Sequence, residues 1–171
     1  MKRLLSVTAV LATALGASAP ASAWDVTLAA GVTRESTEVV RLGLQQDFGR
    51  SWWQSSTGQL TGYWDGGYTY WFGDKSASNH SLSFAPVFVY EFAGENVRPY
   101  IEAGIGVAFF ESTEFEEHDL STSFQFEDRL GFGLRFAGQE VGLRAIHYSN
   151  AGIKNPNDGA ETYTLHYRTA F

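Results

Sequence analysis

The feature that most narrows what this chain can become is alternation. From Trp24 onward apolar and polar residues exchange at period two, and no stretch sustains a 3.6-residue repeat. Val97, Pro99, Ile101, Ala103, Ile105, Val107 and Phe109 alternate with Arg98, Tyr100, Glu102, Gly104, Gly106 and Ala108. Leu82, Phe84, Pro86, Phe88, Tyr90 and Phe92 alternate in the same way, as do Leu130, Phe132, Leu134 and Phe136; on a fourth stripe, Val40, Leu42, Leu44 and Phe48, Gln46 interrupts the apolar side. Eight such segments are expected, at roughly 24–34, 38–49, 57–72, 80–92, 97–110, 121–136, 140–150 and 160–171. Short turns at Arg50-Ser51, 93–96 and 137–139 alternate with longer polar connections at 73–79, 111–120 and 151–159, the connection near 35–37 being a short exception. With no Pro/Ser-rich linker or long charge run, this is one all-β domain.

The segment before Trp24 is different. Met1-Lys2-Arg3 is a positive start, Leu4 to Ala19 is mostly apolar and small, and Ala21-Ser22-Ala23 is a small-x-small cleavage pattern. Residues 1–23 therefore read as a secretory signal peptide and 24–171 as the mature domain. Losing Lys2 and Arg3 takes the formal charge from −7 to −9, which excludes a general nucleic-acid-binding surface. The chain has no cysteine, so disulfides, thiolate metal sites, a Cys nucleophile and a lipid-modified cysteine are all excluded.

Alternating strands suit two barrels, a soluble one apolar inside and a transmembrane one apolar outside. Three features favour the second. The polar faces carry Arg41, Arg98, Arg129, Arg135, Arg144 and Arg168 with Asp47, Asp65, Glu91, Glu102 and Glu127, a near-balanced set suited to filling a narrow lumen with ion pairs. Trp52, Trp53, Tyr68, Tyr70, Trp71, Phe109 and Phe110 cluster near segment ends, as interfacial girdles do. The last strand carries Tyr163, Leu165, Tyr167 and Phe171 on one face, resembling the terminal signal that outer-membrane barrels present to their assembly machinery. The expected fold is an eight-stranded antiparallel transmembrane β-barrel, multi-pass in a Gram-negative outer membrane. Gly31, Gly43, Gly104, Gly106, Gly131 and Gly133 face its lumen, and His166 joins the interior network.

Parity then singles out three residues. Val141, Leu143, Ala145, His147 and Ser149 share a face of the seventh segment, and the lipid face of the eighth continues from Tyr163 to Glu161. If the hairpin pairs Val141 with Tyr167 and Leu143 with Leu165, His147 meets Glu161, within hydrogen-bonding reach across two strands. Ser149 is two residues further up, about 6.5–7 Å between Cα atoms. His147 stands roughly 18 Å above Glu140 and Glu161 roughly 25 Å above Phe171 at 3.3 Å per residue and 40° tilt, which puts the site in the outer leaflet. Ser, His and Glu are the members of a serine-hydrolase triad: Ser149 attacks an ester, His147 takes and returns the proton, and Glu161 orients the imidazole. Asn150 and a backbone N–H near Gly152 would serve as the oxyanion hole.

The residues around these positions resemble the PagL family of outer-membrane lipid A 3-O-deacylases over essentially the whole mature sequence. The resemblance is carried by Ser51-Trp52-Trp53-Gln54, Thr61-Gly62-Tyr63-Trp64-Asp65, the run from Ser81 to Gly94, the run from Tyr100 to Ala108, and above all Arg144-Ala145-Ile146-His147-Tyr148-Ser149-Asn150-Ala151-Gly152. It implies His147, Ser149 and Glu161 as catalytic residues and Asn150 and Gly152 as oxyanion contributors. It also implies removal of the ester-linked 3-hydroxyacyl chain at the 3-position of lipid A in lipopolysaccharide, without a metal cofactor. Outer-membrane lipids and the barrel assembly machinery follow as partners; a homodimer stays open.

Rival readings remain. A Ca²⁺-dependent serine phospholipase of the outer membrane would be silenced by a chelator, and a non-enzymatic adhesion or envelope barrel would not need Ser149. A porin is disfavoured because eight strands leave too little room. Glu114, Glu116, Glu117, His118 and Asp119 could gather a hard cation, but their spacing fits no cation loop and reads as a solvated connection. No cofactor is expected.

Overall fold

The computed structural model describes residues 24–170, so the expected signal peptide and Phe171 lie outside the described residues. Eight long strands close into a barrel: β1 (Asp25–Thr33), β2 (Glu38–Asp47), β3 (Gly58–Trp71), β4 (Asn79–Phe92), β5 (Arg98–Phe110), β8 (Phe124–Phe136), β9 (Gln139–Ser149) and β10 (Ala160–Ala170). A two-residue hairpin, β6 (Glu114–Phe115) and β7 (His118–Asp119), stands between β5 and β8. All barrel neighbours are antiparallel, and β10 closes on β1. Seven of the eight are consecutive pairings in the chain, the topology that short connections impose.

The alternation is realised as written. Leu82, Phe84, Phe88, Ile101, Ile105, Phe109, Leu130, Phe132, Leu143, Tyr163 and Leu165 point outward and exposed, whereas Asp65, Glu91, Glu102, Arg129 and Arg144 point inward and are buried. Such an apolar exterior on strands of 9–14 residues is stable only against lipid. Partners followed from Thr169 through Val26, Leu44, Gly66, Phe84, Val107 and Phe126 arrive on β9 at Ser149, ten residues along from Thr169's own β9 partner, Gln139. This stagger is what tilts the strands.

Charges fill the lumen. Arg129 Nη2 donates to Asp65 at 2.7 Å and to Glu127 at 2.6 Å, and Arg41 also donates to Asp65. Arg144 Nε and the Tyr63 hydroxyl converge on Glu102, each at 2.6 Å. Lower down, Glu140 receives Arg135 Nε at 2.7 Å, the Tyr100 hydroxyl at 2.9 Å and His166 Nε2 at 3.0 Å. Two glycines make room for these heads: a Cβ on Gly67 would strike the Arg41 guanidinium, and one on Gly131 the Glu102 carboxylate. Above the charges Trp71, Phe110, Phe115, Leu120 and Tyr148 form a buried apolar plug, so the lumen is a packed interior.

Three expectations are revised. The turn at Arg50-Ser51 is a ten-residue connection, 48–57, because Trp52 bridges back to Leu60 and Phe48 N–H donates to Gly62 O, folding the segment along the barrel wall. The connection after β5 extends to 123 and contains the β6–β7 hairpin, whose two-residue strands are too short for any periodicity to register. Asp47 lies exposed at the end of the barrel where β1 begins and β10 ends, because it closes its strand beyond the lumen, and Arg98, also at a strand terminus and exposed, keeps only its head at the lumen mouth, donating to the buried Glu91 at 2.8 Å.

Candidate active site

Strands β9 and β10 hold the site at the end opposite the start of β1 and the end of β10. Their register is the one assumed when the two stripes are matched: Val141 pairs with Tyr167, Leu143 with Leu165, Ala145 with Tyr163 and His147 with Glu161. His147 Nδ1 and Glu161 Oε1 are 2.9 Å apart. An ionised carboxylate only accepts, so Nδ1 carries the hydrogen and Nε2 is left as a lone-pair acceptor. That tautomer is the one a general base needs.

Both side chains face outward and are partly covered, His147 at 43% exposure and Glu161 at 21%. Ser149 is half-buried on the same face, two residues above His147, and its hydroxyl forms no hydrogen bond with another described residue. The structure therefore joins His147 to Glu161 and brings Ser149 to the same stripe, short of a serine–histidine hydrogen bond.

Asn150 turns the other way and is fully buried. Its Nδ2 donates to Leu120 O at 3.0 Å and Lys154 O at 2.9 Å, and its Oδ1 accepts Gly152 N–H at 2.8 Å. Its own N–H donates to Asn157 Oδ1 at 2.9 Å. The donors expected of an oxyanion hole are thus engaged in building the 150–159 loop. Gly152 has φ 78°, a left-handed turn with open space where a Cβ would stand.

One residue of the site escaped the sequence reading. Asp128 on β8 is the register partner of His147 on the side away from Glu161, and it is exposed on the outer face. Stepping back by two from Leu130 would have found it. Glu161, His147, Asp128 and Ile105 thus follow one another along a single row across β10, β9, β8 and β5. Below that row a groove of about 630 Å³ runs from Glu161 and His147 past Ala145, Leu130 and Ala103 to Phe88. Two alanines keep its side low, and its walls are apolar.

The acidic connection is occupied with loop contacts. The Glu116 carboxylate accepts the N–H groups of Asp74 (2.8 Å) and Lys75 (3.1 Å), Lys75 Nζ donates to Glu117 at 2.8 Å, and His118 lies 3.1 Å from Glu35. The Lys75 ammonium holds the Glu117 carboxyl below the usual carboxylate range and is itself raised in return. Among the described residues no three His, Asp or Glu side chains are grouped to hold a metal ion.

The chain is similar to known proteins. The family model described as Lipid A 3-O-deacylase (PagL) matches residues 38–170. The chain is 58% identical over 170 residues to the lipid A deacylase PagL of Pseudomonas aeruginosa (strain PAO1), covering 98% of both chains. It is 42% identical over 109 residues to the protein of the same name from Bordetella bronchiseptica (strain RB50), covering 61% of this chain and 60% of that one. A crystal structure titled as the outer membrane enzyme PagL superposes with a TM-score of 0.84 at 60% identity, covering 86% of this chain and 99% of the other.

Proposed function

The chain belongs to the PagL family of lipid A 3-O-deacylases, an outer-membrane enzyme of that activity, and from that premise we propose that it hydrolyses with a Ser149–His147–Glu161 triad set on the lipid-facing side of the barrel, in the outer leaflet. The substrate is lipid A of lipopolysaccharide, and the bond broken is the ester of the 3-hydroxyacyl chain at its 3-position. The observation that carries this reading is the 2.9 Å His147–Glu161 pair on an outward face, beside a serine and above an apolar groove.

In the first half-reaction Ser149 Oγ bonds to the ester carbonyl carbon and its proton passes to His147 Nε2. The imidazolium, stabilised by the Glu161 carboxylate, returns that proton to the departing 3-position oxygen as the C–O bond breaks. Water, deprotonated by the same histidine, then splits the acyl-serine and frees the 3-hydroxy fatty acid. The acyl chain lies in the groove, where Ala145 and Ala103 leave it room. Asn150 and Gly152 are assigned to the oxyanion; Asn150 Nδ2 must release Leu120 O or Lys154 O, and the Gly152 N–H must release Asn150 Oδ1, to reach it. The position of the site answers a constraint of the substrate: a leaflet-bound ester meets the enzyme sideways, so the chemistry belongs on the wall and not in the lumen.

Mass spectrometry of lipid A from cells making the wild-type chain, Ser149→Ala, or neither tests the reading. Loss of one 3-hydroxyacyl mass with wild type alone supports it. The same loss with folded Ser149→Ala overturns the nucleophile assignment.

A further inference from the structure

A glycine at the end of the 150–159 loop lies against the imidazole itself. A Cβ placed on Gly159 would stand 3.1 Å from His147 Cε1, 3.9 Å from its Nδ1 and 3.0 Å from Tyr148 O, and the residue has φ +70°. The first and last of these separations are closer than a methyl group ordinarily sits. We infer that Gly159 is a positioning residue, a backstop that seats the His147 ring on Glu161; the inference rests on His147 being the general base.

The ring is bounded on two consecutive atoms. Nδ1 is fixed by Glu161 at 2.9 Å, and Cε1 faces the Cβ position of Gly159 at 3.1 Å. Rotation about the Cβ–Cγ bond that carries Cε1 toward Gly159 meets that side, and rotation in the other sense is opposed by the Nδ1–Glu161 hydrogen bond, while Nε2 stays uncommitted. The wall is itself anchored. Asn157 accepts Asn150 N–H at 2.9 Å, Asp119 N–H donates to Asp158 Oδ2 at 2.9 Å, and Lys154 Nζ reaches Ser121 O at 3.2 Å, tying the loop to the connection after β5. Immediately beyond Gly159, Ala160 pairs with Tyr148 and β10 begins. Only a residue without a side chain satisfies the left-handed backbone and the close ring together.

Catalytic groups must sit within about 0.5 Å of their productive geometry, and a misplacement near 1 Å costs on the order of 10²-fold in rate. Gly159→Ala forces the imidazole to move by a few tenths of an ångström or more. It should lower kcat about 10- to 100-fold with KM within about twofold. Gly138→Ala is the matched control: its φ is +75°, it shares the backbone strain, and nothing lies within 4 Å of its Cβ position. That variant should keep wild-type kcat and KM.

The experiment uses the full chain refolded in detergent micelles, with histidine labelled at Cε1 and His147 assigned from His147→Gln. Wild-type protein should show a nuclear Overhauser contact between the His147 Cε1 proton and the Gly159 Hα protons, and Gly159→Ala should shift that histidine signal. A missing contact overturns the inference and needs no variant to fold. A kcat for folded Gly159→Ala within twofold of wild type overturns it as well. Ser149→Ala separates the two claims: if it still hydrolyses lipid A, the triad reading fails, whereas the contact and the signal shift report on Gly159 alone.

Discussion

Glu161→Gln isolates what the carboxylate contributes, because the amide keeps the shape and removes the charge. In the protein Glu161 Oε1 lies 2.9 Å from His147 Nδ1. A glutamine can turn its NH2 toward Nδ1, which selects the tautomer with the hydrogen on Nε2 and leaves no acceptor for the serine proton. Turned the other way, it accepts from Nδ1 but does nothing for the imidazolium that forms in the transition state. The lost ion pair would be worth about 4 kcal/mol at 4 Å and an effective dielectric of 20. With the His147 side chain 43% exposed and Glu161 21% exposed, screening lowers this to about 1–2 kcal/mol. That corresponds to a drop of roughly 5- to 30-fold in kcat. The assay is fatty-acid release from lipid A in detergent micelles, with barrel folding verified by the heat-dependent shift of its band on a gel. A folded Glu161→Gln enzyme within twofold of wild-type kcat would refute the assignment of Glu161 as the orienting member.

Other outcomes follow from the same structure. Arg129→Met leaves the buried Glu127 carboxylate without its arginine and Asp65 with Arg41 as its remaining cation, and should cost about 3–5 kcal/mol in urea unfolding from lipid vesicles. Leu143→Arg places a cation on the lipid face four residues below His147 and should cost about 2–4 kcal/mol in the same measurement. EDTA should leave hydrolysis by the purified enzyme within twofold of its untreated rate; silencing by the chelator would favour the calcium-dependent phospholipase.

Period two made the barrel legible, since each residue's face follows from its parity once one apolar stripe is assigned to lipid. It also brought the His147–Glu161 pair within reach once Leu143 is set opposite Leu165, a choice that parity by itself shares with slips of two residues. Asp128 shares the parity of Leu130 and Phe132, but a lone carboxylate at the end of that apolar stripe, beside Glu127, carries no signal of its own. The contacts of Asn150 were not within reach. They depend on Leu120, thirty residues away, and on how the 150–159 loop curls, and neither has a periodic signal. Gly159 was hidden for the same reason: its contact with His147 is set by a turn whose geometry no local pattern announces. The 48–57 connection follows this rule too, since Phe48 and Trp52 reach Phe88 at 5.6 and 6.5 Å between ring centroids, a tertiary contact that lengthens what sequence reads as a turn.

The lumenal charges and the outward His147–Glu161 pair are linked through strand register. Parity forbids a one-residue slip between β9 and its neighbours, because every stripe would turn inside out. A two-residue slip keeps each stripe apolar and would carry His147 about 6.6–6.8 Å away from Glu161. What opposes it is the interior. On the β8–β9 seam Arg135 pairs with Glu140 and bonds it at 2.7 Å, and on the β9–β10 seam Glu140 is paired with Arg168. Arg144 on β9, the strand that carries His147, reaches over Gly131 of β8 to Glu102 on β5 at 2.6 Å. Sliding β9 by two residues breaks these contacts together, and each buried charge left alone costs about 3–5 kcal/mol. An apolar lumen would tolerate the slip, since one aliphatic pair is much like the next. The interior network therefore does more than fill space: it selects, among registers that look alike to the lipid, the one in which a histidine on β9 and a glutamate on β10 stand opposite each other.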